Sequence, residues 1–345
     1  MAIRLIHVGL GNWGRNWESS VLSTVSDIIK PVGFVESDEA TMETAKETLD
    51  LPPERCFSDL EAAITATDAD AVLATVPVTA HVPVALTALA AGKHVLIEKP
   101  FAPTIADAKR VVDATIESQC IAMVSQNYRF YPAVRAAMQL VAEQALGAIG
   151  TVNLDFRRFA QPRPNSPYTK IAQPLLEDMA IHHFDLMRAL LRQEPHTVIC
   201  DTWNPPWSPF AGPAAAAASI TFDGGAHVSY RGNWVSPGPS TAWAGEWRVE
   251  CERGEIIWSS RADNRGLEAE RVLVRPVDGP ERDMKLPSPR HWGRAGVLAA
   301  FAGSIERGTP SETSAVDNIG SLALTLAAVQ SAAMQRAVVL DDSVI

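Results

Sequence analysis

The sequence predicts a two-domain α/β protein, in which a doubly wound parallel sheet precedes an α/β domain with a large, mostly antiparallel open sheet. Three observations carry this expectation. Up to about residue 125, apolar β-branched runs alternate with helical patterns of about ten residues, the alternation that builds βαβ units. Beyond Gly150, strand-like runs follow one another with turns in place of helices, as antiparallel neighbours do. At 345 residues the chain also exceeds one typical core.

Composition narrows the class. A chain that is 47% hydrophobic and 20% charged is ordinary for a globular enzyme, and a net charge of −10 argues against non-specific nucleic-acid binding, which needs basic surfaces. Cys56, Cys120, Cys200 and Cys251 are scattered, without Cys-x-x-Cys or metal-type histidine spacing, so a reducing cytoplasm is the simplest setting. Met1 to Leu5 enters a strand pattern at once, unlike a signal peptide. No stretch is apolar for long enough to span a bilayer; 211–220, the nearest, contains Gly212 and Pro213. Neither nucleic acid nor membrane is therefore an expected partner.

In the first half, a strand over Ile3–Val8 runs into Gly9-Leu10-Gly11-Asn12-Trp13-Gly14, and a helical pattern follows from Trp13 to about Val25. Gly-x-Gly-x-x-Gly between strand and helix has a physical reading: a tight turn, a close backbone approach to a pyrophosphate, and close helix–strand packing, with phosphate at the helix amino terminus. A plain tight turn is the competing reading. The next strand, Pro31–Val35, ends at Glu36, where an acid usually holds the ribose hydroxyls. Ser37 follows in place of an arginine that would accommodate a 2′-phosphate, which favours NAD over NADP, with NADP possible. Alternatively, Glu36 caps a helix beginning near Asp38.

Helical spacing covers Ala40–Leu49, and a buried strand covers Ala69–Val76. Thr75, Pro77 and His81 then fall in the expected cofactor crevice, although a lone histidine at a helix start is commonly a packing residue. A strand from Lys93 ends in Glu98-Lys99-Pro100, bringing an acid and a base to the carboxyl end of the sheet, where open α/β sheets bind ligands. The competing reading is a solvated Glu–Lys pair, and Glu98 is assigned no chemistry of its own. A helix over Thr104–Glu117 and a strand over Cys120–Ser125 lead to the polar-aromatic segment Gln126–Pro132, with Asn127 and Arg129. The first domain is expected over 1–125 and the second over 126–345, with a C-terminal helix packing back on the first.

In the second half, strands are expected over Thr151–Phe159, Ala226–Trp234, Glu246–Glu252 and Glu255–Ser260, among seven of the nine tryptophans. Tryptophans can stack on a sugar ring, but a buried sheet face or subunit interface explains them as well. The run 175–191 reads as one helix with Asp178, His182 and Asp185 on a narrow stripe and His183 on the apolar side. Burying these groups unpaired would be costly, so the stripe faces a functional cleft, a closed ion-pair cluster or a metal. A metal lacks a clear third and fourth ligand, and none is expected. Helices over Gly293–Glu306 and Ser314–Arg336 close the chain.

Together these residues resemble the Gfo/Idh/MocA oxidoreductases, the family of glucose–fructose oxidoreductase and the inositol dehydrogenases. The match spans nearly the whole chain through Gly9–Gly14, Glu98-Lys99-Pro100, Arg129-Phe130 and Asp178-x-x-x-His182-x-x-Asp185. The resemblance implies a Rossmann domain followed by an α/β domain whose open sheet joins subunits, hence a homodimer or homotetramer. It implies Lys99 and His182 as the catalytic pair with Asp178 beside them, acting on a sugar, polyol or related hydroxyl compound. Cofactor contacts are then expected from Gly9, Gly11, Asn12, Trp13, Gly14, Glu36, Ser37, Thr75, Pro77, His81, Glu98, Lys99 and Asn127, and substrate contacts from Lys99, Arg129, Asp178 and His182. Which of Lys99 and His182 accepts the proton stays open.

The chain departs from the family at Gln173-Pro174-Leu175-Leu176-Glu177, where a glycine-rich approach is common, and in the proline-rich stretch 161–168, expected as a pocket-edge loop. A non-catalytic dinucleotide sensor is the alternative from another class, and a metal-dependent lyase or hydrolase a third.

Overall fold

The computed structural model describes residues 2–163, 166–262 and 270–340. The chain divides into two compact units, Met1–Asn127 with His291–Ile319, and Tyr128–Arg290 with Gly320–Ile345.

The first unit holds strands β1 (Ile3–Val8), β2 (Ile29–Val35), β3 (Cys56–Phe57), β4 (Ala71–Ala74), β5 (His94–Ile97) and β6 (Ala122–Val124). They form one sheet in the order β3-β2-β1-β4-β5-β6, with every pair parallel. Between them run helices α1 (Asn12–Ser20), α2 (Glu39–Leu49), α3 (Leu60–Ala66), α4 (Val78–Ala90) and α5 (Ile105–Ser118). Strand order reverses between β1 and β4, so their carboxyl ends open the crevice in which such sheets bind ligands. A sheet covered on both faces needs strands apolar throughout, and β4 is buried at all four positions.

Helix α1 stops at Ser20, short of the expected Val25, and Leu22–Thr24 forms a 3₁₀ turn. The hydroxyls of Ser19 and Ser23 bond back to the carbonyls of Arg15 and Ser19, a local competition that weakens regular helix. Helix α2 is capped by Asp38, whose carboxylate accepts the Thr41 N–H at 2.8 Å.

The second unit is built on a nine-stranded sheet in the order β14-β13-β12-β11-β7-β10-β9-β8-β15. Its strands are β7 (Ile149–Arg157), β8 (Pro195–Trp203), β9 (Ala215–Phe222), β10 (His227–Asn233), β11 (Glu246–Cys251), β12 (Gly254–Ser259), β13 (Arg271–Pro276), β14 (Arg282–Asp283) and β15 (Val338–Val339). All pairs are antiparallel except β7 with β10. Helices α6 (Pro132–Ala142) and α7 (Ile181–Leu191) also belong to this unit. Helix α8 (Gly293–Arg307) belongs to the first unit, and α9 (Ala315–Met334) contributes residues 315–319 to the first and 320–334 to the second.

Alternation in β10 and β11 buries one face and exposes the other. The buried face carries the directly opposed pair Trp247–Trp258, stacked at 4.6 Å, and Tyr230, which packs edge-on against Phe184 of α7. The exposed face carries ion pairs Arg157–Glu246, Arg231–Asp155 and Arg248–Glu255. No described helix is long and apolar enough to cross a membrane.

The single α-helix expected over 175–191 is instead a π-helical segment, Pro174–Ala180, continuing into α7. Proline at its first position has no N–H to donate, and the wider i→i+5 turns shift Asp178 relative to the stripe that an ideal α-helix defines.

Candidate functional site

In the first unit, the end of β1 and the start of α1 form a cradle whose glycines have separate reasons. Gly9 adopts φ +93°, and a Cβ there would lie 2.8 Å from the Val76 backbone nitrogen. A Cβ on Gly14 would lie 1.9 Å from the Gly9 carbonyl oxygen and 2.9 Å from Thr75 Oγ1. A Cβ on Gly11 would meet nothing within 4 Å. The outer two glycines therefore serve close backbone packing, while Gly11 faces open space beside exposed Asn12 and Trp13 at the helix amino terminus. A dinucleotide pyrophosphate fits that space and the helix polarity. Leu10 is tied into the core with Phe34, Met42, Ala45 and Leu51, which anchors the loop between its glycines.

Glu36 stands beside this loop. Its Oε2 accepts the Leu10 N–H at 2.8 Å and its Oε1 the Asp38 N–H at 3.1 Å. The cap of α2 is Asp38, so the reading of Glu36 as that helix's cap gives way to a carboxylate fixed between β2 and the glycine loop. Ser37 beside it is exposed.

At the end of β5, the buried Glu98 carboxylate accepts the Trp17 indole N–H at 2.9 Å and the Lys99 backbone N–H at 3.1 Å. Glu98 thus positions the turn that presents half-buried Lys99, and the following Lys99–Pro100 peptide is cis. His81, expected among the cofactor contacts, is instead an internal brace: its Nδ1 lies 2.8 Å from the Pro100 carbonyl oxygen and its Nε2 2.9 Å from that of Val76. Burial pushes its pKa down. Pro77 is exposed, whereas Thr75 and Asn127 are buried.

In the second unit, His182 is buried and lies flat on Tyr128, ring centroids 4.1 Å apart and planes 1° from parallel. The Arg261 guanidinium lies 4.6 Å from the Tyr128 ring centroid and donates to its hydroxyl. Burial raises the Tyr128 pKa. Asp178 accepts a hydrogen bond from Tyr168, whose hydroxyl also receives the Trp234 indole N–H at 3.2 Å. Burial, followed by the neighbouring Asp178 charge, pushes the Tyr168 phenol well up, so it stays a donor. Part of the stretch expected as a pocket-edge loop, residues 164 and 165, lies outside the described residues.

Arg129, expected as a substrate contact, is placed otherwise. Its Nε and Nη2 grip the two oxygens of Asp185 at 2.7 and 2.6 Å, in a pair that is almost wholly buried. Asp185 also accepts the Ser321 hydroxyl at 2.7 Å, and Ser321 accepts from Arg188. The stripe is thus divided: Asp185 closes a structural ion-pair cluster, while Asp178 and His182 meet aromatic side chains. His183 is buried, with Nε2 3.0 Å from the Trp243 carbonyl oxygen, and burial pushes its pKa down to about 4. Among the described residues, no group of three His, Cys, Asp or Glu could hold a metal ion. Tyr128, on which His182 stacks, and Arg261, which backs that ring, lie far from His182 in sequence, and spacing gave no signal of the stack.

The model of the oxidoreductase family with an NAD-binding Rossmann fold matches residues 3–126, and the Gfo/Idh/MocA C-terminal domain matches residues 134–257. The chain belongs to the Gfo/Idh/MocA oxidoreductase family. It is 28% identical to the uncharacterised protein y4oX of Sinorhizobium fredii, over 99% of this chain and 97% of that one. It is 26% identical to D-apiose dehydrogenase of Paraburkholderia graminis, over 90% of this chain and 83% of that protein. An oxidoreductase from Agrobacterium radiobacter, solved with NAD⁺, L-tartaric acid and magnesium, shares its fold with a TM-score of 0.85 at 21% identity, over 98% of each chain. By that membership the chain is an NAD-binding oxidoreductase.

Proposed function

We propose that this protein is an NAD-dependent dehydrogenase that transfers hydride between the nicotinamide and a hydroxyl or carbonyl carbon of a sugar, polyol or related compound. The observation that carries the cofactor preference is Glu36, a carboxylate held beside the glycine loop by the Leu10 and Asp38 N–H groups, with exposed Ser37 next to it. A carboxylate there accepts ribose hydroxyls and repels a 2′-phosphate. The sugar or polyol class rests on family membership together with relatives such as D-apiose dehydrogenase.

When bound, the nicotinamide accepts hydride at C4. The chain's own residues handle the cofactor phosphates and the substrate proton. The N–H groups opening α1 bind the pyrophosphate, and Glu36 accepts from the ribose. The Lys99 ammonium hydrogen-bonds the substrate oxygen and stabilises its developing charge. His182 takes the hydroxyl proton as hydride leaves carbon, or supplies it in reverse. Asp178, in contact with Tyr168, binds a neighbouring hydroxyl or orients the imidazole.

The open face of the nine-stranded sheet is the proposed surface for a homodimer or homotetramer, and the four free cysteines suit a cytoplasmic setting. Turnover of a sugar and polyol panel with NAD and NADP, read at the reduced-nicotinamide absorbance, tests the reading. Activity with NADP alone would overturn the cofactor assignment, and failure to bind either nucleotide would overturn the function.

A further inference from the structure

A buried chain of polar groups runs beneath the glycine loop. His7 of β1 is fully buried; its Nδ1 lies 2.6 Å from Glu18 Oε1 of α1, and its Nε2 lies 2.8 Å from Thr75 Oγ1 just past β4. The Thr75 hydroxyl lies 2.6 Å from the carbonyl oxygen of Gly9, the first glycine of the loop. Four groups from three elements are thus in series: carboxylate, imidazole, hydroxyl and loop carbonyl.

Counting hydrogens fixes the direction of this series. A carbonyl oxygen only accepts, so the 2.6 Å contact requires the single Thr75 proton to point at Gly9. Thr75 then has no proton for His7, and the imidazole must donate from Nε2. A neutral imidazole carries one N–H, so its Nδ1 faces a carboxylate with no hydrogen between them unless the pair holds one more proton. Two acceptors 2.6 Å apart would repel, and the series closes only when His7 and Glu18 together hold that extra proton.

We propose that His7 and Glu18 are positioning residues for the dinucleotide, a proton-sharing pair that fixes the Thr75 hydroxyl and through it the Gly9 carbonyl. Gly14 shows what depends on this placement, because the point where its Cβ would stand is already filled by the Gly9 carbonyl and Thr75 hydroxyl. A rotated Gly9 peptide would disturb the packing of Gly14 against the loop and the aim of the N–H groups that open α1. Neither His7 nor Glu18 touches the nucleotide; both act through Thr75. The inference rests on the glycine loop as the dinucleotide site.

The test is NADH binding to the full chain, followed by fluorescence, with thermal unfolding alongside. Thr75→Val should weaken binding at least about tenfold, the loss of about 1.4 kcal/mol of loop placement, and Thr75→Ser should restore it to within about threefold. Glu18→Leu should weaken binding similarly. Glu18→Gln should recover it, since an amide N–H donates to Nδ1 and lets a neutral imidazole keep its Nε2 proton for Thr75. Proton NMR of ¹⁵N-histidine protein should show a far-downfield Nδ1-bound proton that is absent in His7→Gln and lost in Glu18→Gln, where Nδ1 becomes an acceptor. If wild type binds no NADH, the cofactor reading fails. If wild type binds and Thr75→Val or Glu18→Leu binds equally well, or no such proton resonance exists, the positioning proposal is overturned.

Discussion

The imidazole of His182 lies face to face with the phenol ring of Tyr128, 4.1 Å between centroids and 1° from parallel. A proton acceptor must hold its lone pair in one direction through the reaction, and a flat aromatic neighbour removes ring rotation without claiming either nitrogen. Such a pair is worth about 0.5–1.5 kcal/mol beyond area burial. Tyr128→Leu should therefore lower kcat by about three- to tenfold with little change in KM for NAD, while Tyr128→Phe should stay within about threefold. Equal rates for the leucine variant and wild type would remove the stack from the mechanism.

Lys99 and His182 carry the proposed proton chemistry, and losing a positioned acid or base typically costs about a hundredfold or more. Lys99→Ala and His182→Ala should each reduce turnover by at least about that factor, and His182→Ala should still bind NADH. Steady-state rates combined with fluorescence titration check this. Near-wild-type rates in both variants would end the assignment, and cofactor binding without turnover across the whole substrate panel would favour a dinucleotide sensor.

Much of the first unit is legible in sequence because its signals are local. The β1 strand, the glycine loop and the acid ending β2 sit within about 35 residues, each with a direct backbone reason. The second unit is harder to read. Its strand β9 begins with the run Ala215–Ala218, which lacks the β-branched residues that mark strands, and its place is set by pairing with β8 and β10. The Asp178–His182–Asp185 stripe rests on an α-helical period that the π-helical segment breaks. The roles of its members follow from partners that sequence spacing does not reveal: Arg129 lies 56 residues from Asp185, and Ser321 lies 136. His7 escapes notice for the same reason, as a histidine inside an apolar strand has meaning only once Glu18 and Thr75 are beside it.

The Arg129–Asp185 pair makes a prediction that separates structure from substrate binding. Two nearly inaccessible charges joined by a two-pronged contact leave an uncompensated buried charge when one partner is removed, at a cost of about 3–5 kcal/mol. Arg129→Met and Asp185→Ala should each lower the urea midpoint by that equivalent. A substrate-contact role predicts the opposite pattern, a raised substrate KM with unchanged stability, and that result for Arg129→Met would reverse the structural placement.

His183 links acid to the stability of the second unit. In the folded chain its imidazole is enclosed, with Nε2 facing the Trp243 carbonyl and Nδ1 3.3 Å from the Tyr230 hydroxyl. Burial holds the pKa near 4, below the ordinary 6.5. The unfolded chain therefore takes up this proton first as the pH falls. The contribution of the neutral ring is intact above pH 6.5 and is lost progressively as the pH drops towards 4, amounting to roughly 3 kcal/mol over that interval. A His183→Gln variant keeps an amide donor for Trp243 without the titration. Urea unfolding at several pH values from 7 to 4.5 should show wild-type stability falling more steeply than that of the variant, and parallel slopes would mean that His183 is not the group that couples acid to unfolding.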